Sequence, residues 1–206
     1  KEDYSHIPQW AIDERNDYLD NNVVFIHILS SSPNLFAGID PEKLGALAKN
    51  AGEAYKHYRT CIMTDVNSWT IASYPSADWA KVVFPELPEE EAFEKLEDAI
   101  FMTSRVTEDS DPLENWRIHD ANLVEHARKL TELNFKQLHF TSELGTDLTV
   151  ELVDNHIWIG GGDKTPKGVY FDPNIPTEEC FTMPKKTGVN GIVYASKPLS
   201  NRGKVI

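Results

Sequence analysis

The spacing of apolar positions shifts from helical to strand-like along this chain. Gln9–Asp20 sets Trp10, Ile12, Tyr18 and Leu19 among charged residues at loosely helical spacing, with Asn21-Asn22 as a stop. Val23–Leu29 is almost continuously apolar and β-branched, which predicts a strand covered on both faces in a parallel sheet. His27 inside that run reads as a core or strand-end histidine, and Ser30–Asn34 as the loop at the strand's carboxyl end, the edge where α/β sheets bind ligands. Asp40-Pro41-Glu42 combines an N-cap, a first-turn proline and a first-turn acid, opening a helix to Tyr58 with Leu44, Leu47, Ala48, Ala51 and Tyr55 on its apolar face. Cys61-Ile62-Met63 and Trp69–Ala72 predict one extended strand region with an irregular join at Asp65-Val66-Asn67. Trp69 and Trp79 are expected to be core anchors.

Pro88-Glu89-Glu90-Glu91 loads a helix start with acids, and Phe93, Leu96, Ile100 and Phe101 form the face behind it. Thr107–Asp111 is polar and acidic, as a linker would be. Asp111-Pro112-Leu113-Glu114 then has the form of a capping box, and Trp116, Leu123, Ala127 and Leu130 carry the stripe of a long helix to Leu133. From Leu138 onward short strands dominate. Leu148, Val150 and Leu152 alternate with Thr149 and Glu151, and Asp154-Asn155 separates them from His156–Ile159, which predicts a hairpin. Further strands are expected at residues 169–171, 181–183 and 191–195. The predicted class is α/β: a helix-flanked, mostly parallel N-terminal sheet in a domain over residues 1–108, then a strand-rich α+β portion over 109–206.

Composition narrows the function classes. A chain of 206 residues, 40% hydrophobic and 26% charged, can bury a core. Its net charge of −13 disfavours nucleic acid and anionic membrane as partners. The longest apolar run, Val23–Leu29, is far short of the roughly 20 residues that span a bilayer. Cys61 and Cys180, far apart, fit a reducing compartment, so the cytoplasm is the expected location.

Three features could carry chemistry. Gly160-Gly161-Gly162-Asp163-Lys164-Thr165 fails as a phosphate loop, since Asp163 precedes the lysine and Pro166 follows, and reads better as a glycine turn beside a strand. His119 and His126 share a helix face but are separated by about 10 Å along the axis at a rise of about 1.5 Å per residue. Zinc helices place their histidines one turn apart, so both are expected to be surface residues. The third feature is Pro173-Asn174-Ile175-Pro176-Thr177-Glu178-Glu179, where two prolines hold a stiff loop ahead of two carboxylates. Taken alone, adjacent acids mostly mark a solvated turn or a helix start.

A family resemblance enters at these residues. GTDLTVEL, the Trp158-Ile159-Gly160-Gly161-Gly162 turn, NIPTEECFTMP and GIVYASKPL, with NSWTIASYPSADWAKVVFPELPEEEAFEKLEDAIF upstream, resemble the metal-dependent aminopeptidases typified by aminopeptidase T, PepS and AmpS. The similarity runs from about Ile39 to Ile206. It implies two divalent metal ions (zinc, cobalt or manganese), peptide substrates with a free N-terminus, a homodimer, and Glu179 as a ligand to one of the ions. Glu178 matches the motif but inherits no ligand role, and no catalytic residue is assigned within the chain. The family's remaining ligands, another Glu, two His and an Asp, come from segments C-terminal to this stretch. The chain is therefore expected to be an internal fragment of a protein about twice as long, inactive by itself, with the general base outside it. The rival expectation is a noncatalytic binding or dimerisation module that keeps the fold.

Overall fold

The computed structural model describes residues 6–196. They divide into two compact units, one running through Pro112 together with Gly162–Thr177, the other comprising Leu113–Gly161 and the chain from Glu178 onward.

In the first unit, α1 (Gln9–Asp20) leads into β1 (Phe25–Leu29), which pairs in parallel with β2 (Trp69–Ser73), Phe25 opposite Trp69. Between them lie α2 (Pro41–Ala54) and α3 (Lys56–Met63). The Asp40 side chain accepts from the Glu42 amide at 2.9 Å, so the cap does form. The helix stops short of Tyr58, however, breaking at Tyr55 into two. Cys61–Met63 is helical, contrary to the strand expectation. Tyr58, Cys61 and Ile62 are its half-buried positions, a spacing of three and four that a three-residue apolar run cannot distinguish from a strand. Tyr58 packs edge-on against Phe25 at 5.4 Å between ring centres, and Arg15 stacks over Tyr55 at 4.0 Å.

The sheet departs from expectation in its cover. Phe25 and His27 lie on one face of β1, with His27 stacked on Phe25 at 6.2 Å, whereas Ile26 and Ile28 on the other face are 68% and 65% exposed. Pleat alternation separates these two sets, and among the described residues only the first face is packed.

Beyond β2, an unanticipated helix, α4 (Ala77–Val83), is capped by Ser76, whose hydroxyl accepts from the Trp79 amide. It packs on α5 (Glu89–Thr103) around Ala80, Ala92, Leu96 and Ile100, with Trp79 and Phe93 at the margin of this core. The returning segment forms β6 (Asp163–Lys164) and β7 (Tyr170–Phe171), an antiparallel pair that brings Phe171 to 6.2 Å from the Trp69 ring.

The second unit is built on α6 (Pro112–Leu133) and an antiparallel sheet ordered β3 (Gln137–Thr141), β4 (Asp147–Leu152), β9 (Pro184–Ile192). The predicted hairpin between β4 and residues 156–159 is not made. Asn155 turns the chain with φ 56, but Trp158 is then drawn toward α6, its amide donating to Thr131 Oγ1 at 2.9 Å. That leaves only β5 (Ile159–Gly160) as strand, paired with β8 (Cys180–Phe181), and β9 takes the open edge of β4. No helix among the described residues is long and apolar enough to cross a membrane.

Candidate functional site

The carboxylate pair is positioned by α6. Trp116, Asp120, Leu123 and Ala127 recur at helical spacing and form its buried face. Two glycines bring β-structure directly onto the helix backbone. A Cβ on Gly160 would stand 2.8 Å from Cys180 Sγ, 3.1 Å from the Leu123 carbonyl oxygen and 3.3 Å from that of Glu179. Gly161 has φ +82, and a Cβ there would meet Val124 Cγ2 at 3.1 Å and the Asp120 carbonyl oxygen at 3.3 Å. Both positions therefore require glycine, one for close approach and the other for conformation as well. The glycine run read as a turn thus also seats the Glu178–Cys180 segment on α6.

The loop before the acids is tied by more than its prolines. Pro173 accepts from the Ile71 amide and Ile175 donates to the Ile71 carbonyl, each at 2.8 Å, so the loop pairs with β2 inside the first unit. The second unit resumes at Glu178.

There the two acids part. Cys180 donates its thiol proton to the Leu123 carbonyl at 3.4 Å, and Glu178 Oε2 lies 3.8 Å from His119 Nε2, both contacts reaching α6. Glu178 and Cys180 thus both reach the helix, the Glu178 side chain staying largely exposed, and Glu179 between them is exposed too. His119 corrects an expectation. Its side chain is only 12% exposed, edge-on to Trp116 with ring centres 5.6 Å apart. His126 is exposed, as its spacing implied. The difference is helix phase, since His119 flanks the buried stripe beside Trp116 and Asp120. Burial pushes the Cys180 thiol above its ordinary value, with a backbone interaction at Ala127 working against it, so this cysteine is a packing thiol rather than a nucleophile.

The donor chemistry of Glu179 suits a hard or borderline divalent ion, so it fits such a site as one ligand among several. Among the described residues no group of three or more His, Cys, Asp and Glu is placed to hold an ion. Sequence reasoning missed His119 as a partner of the acidic segment. Its proximity to Trp116 on the helix was the available signal.

Fold and site together define an α/β protein whose acidic segment, just before β8, reaches a long helix. The chain belongs to the family described as thermophilic metalloprotease (M29), the match extending over residues 1–206. It is 42% identical over 205 residues to aminopeptidase AmpS of Bacillus subtilis, covering 100% of this chain and 50% of that protein. Aminopeptidase T of Thermus aquaticus is 37% identical over 199 residues, covering 97% of this chain and 48% of its own. The solved structure of wild-type AmpT from Thermus thermophilus superposes with a TM-score of 0.85 at 35% identity, over 98% of this chain and 49% of that one. The chain thus spans about half the length of the relatives it matches.

Proposed function

We propose that the full-length protein is a metal-dependent aminopeptidase that hydrolyses the first peptide bond of substrates with a free N-terminus. The observation that carries this reading is the similarity to named aminopeptidases over essentially the whole chain. Residues 109 onward are assigned to the start of the catalytic portion, and Glu179 to one of two divalent ions, zinc, cobalt or manganese. Exposure of Glu179, with its neighbours turned onto α6, supports that assignment. When bound, a divalent ion supplies Lewis-acid activation of water and of the scissile carbonyl.

Within this chain, Glu179 offers a carboxylate oxygen, and the Gly160–Cys180 pairing fixes the chain immediately after it. No residue of the chain is assigned as general base, and the 206 residues alone are expected to be inactive. A cytoplasmic homodimer without nucleic-acid or membrane partners completes the proposal, in keeping with the net charge of −13. The test is hydrolysis of leucyl and similar aminoacyl substrates by the full-length protein with cobalt or zinc, before and after chelation. Release of the N-terminal residue that stops on chelation and returns with metal is the expected result. Metal-independent turnover, or none with any of the three metals, would remove the reading.

A further inference from the structure

We propose that His119 is a positioning residue for the metal site, acting through Glu178 to fix where the neighbouring Glu179 presents its carboxylate. This inference rests on the assignment of Glu179 as a ligand. Its basis is the way the acidic segment is held on α6. Cys180 attaches one side of Glu179 through the thiol contact to Leu123, and Glu178 meets His119 on the other. The two attachment points on the helix, His119 and Leu123, are one turn apart, so they hold the segment on either side of Glu179. A residue between two such attachments has its backbone direction set from both sides.

The histidine is suited to the task because it is itself fixed. Its ring sits edge-on to Trp116, which is buried, and little of its side chain reaches solvent. The Glu178 side chain is 64% exposed, so this contact adds little to global stability and its effect is local. Neighbours that orient a metal ligand characteristically change metal affinity and turnover by about 10- to 100-fold when removed, without unfolding the protein.

The experiment uses the full-length protein with His119→Ala, His119→Gln and Glu179→Ala. Zinc affinity is measured by competition with a chromophoric chelator, kcat and KM are measured separately, and the thermal midpoint is taken on metal-free protein. Gln is informative because its side-chain nitrogen can occupy the place of the imidazole Nε2. For His119→Ala we expect zinc affinity to fall about 10- to 100-fold and kcat to fall with it, with KM changed less than threefold. His119→Gln should recover most of both losses. Zinc affinity and kcat within twofold of the parent in His119→Ala would overturn the proposal. So would equal losses in the Ala and Gln variants accompanied by a lowered midpoint, which would mark a packing role only. Glu179→Ala separates this inference from the reading beneath it. If that variant loses zinc while His119→Ala does not, only the positioning role fails, whereas unchanged zinc binding in Glu179→Ala would sink both.

Discussion

Two pairs of acids show opposite relations between sequence and space. Glu178 and Glu179 are neighbours in the chain and both exposed, yet Glu178 reaches His119 on α6 at 3.8 Å. Asp65 and Asp163 are far apart in the chain, yet the first unit brings their carboxyls close enough for their charges to interact. The Asp65 carboxyl is consequently held above the usual range, by desolvation first and by the Asp163 charge second, while the Trp69 indole N–H donates to it at 3.3 Å and pulls the other way. Adjacency in sequence thus separated two acids, and a fold contact coupled two others. If Glu179 is the metal ligand proposed above, its carboxylate is the one in these two pairs that the fold would put to use.

The largest effect should come from removing that carboxylate. In the full-length protein, Glu179→Ala is expected to lower kcat/KM by about a hundredfold or more while circular dichroism stays that of the parent. Full activity at saturating metal would mean the separation of the acids has no catalytic meaning.

Next in size is disruption of the seat. Gly160→Val should destabilise the full-length protein by about 1–3 kcal/mol in denaturant titration, because branched atoms meet Cys180 Sγ and two carbonyl oxygens that cannot withdraw without moving α6 or β8. Zinc affinity should fall in parallel. A variant of parental stability would show that the glycine approach is not what places Glu179.

A smaller and opposite effect is expected at the coupled pair. A carboxyl whose folded pKa is raised penalises the folded state above that pKa, and the penalty disappears as pH falls through it. Asp65→Asn keeps an acceptor for Trp69 and suits the φ of 54 at this position, so it should stabilise at neutral pH, by about 0.5 kcal/mol or less, with no gain at pH 3. Equal stability at both pH values would show that the pair is not coupled.

Glu125 serves as the exposed reference. Arg128, assisted by Lys129, lowers its carboxyl to about 2, so any contribution is present at neutral pH and lost only as pH falls toward that value. Because the group faces solvent in an exposed helical ion pair, Glu125→Gln should leave the neutral-pH midpoint unchanged within error.

Periodicity sufficed for the long elements. α1, α5 and α6 lie where apolar stripes, prolines and acids placed them, because a helix of several turns repeats its signal often enough to be read. Cys61–Met63 was misread because an apolar triplet has no period, and α4 went unanticipated although Ser76 caps it. At the site, the motif singled out Glu179, but nothing local showed that Glu178 would meet a histidine from a helix 59 positions earlier in the chain.

The sequence alone determined the extents of α1, α5 and α6, the strand-rich second half, the acidic charge and the family, since each depends on neighbouring residues or on residue identity. Tertiary structure decided the partner of β4, the return of Gly162–Thr177 to the first unit, the approach of Gly160 to α6 and the contact of Glu178 with His119. Strand pairing and close packing are contests among distant segments for the same edge or surface, and their outcome depends on which burial and hydrogen bonds can be satisfied together.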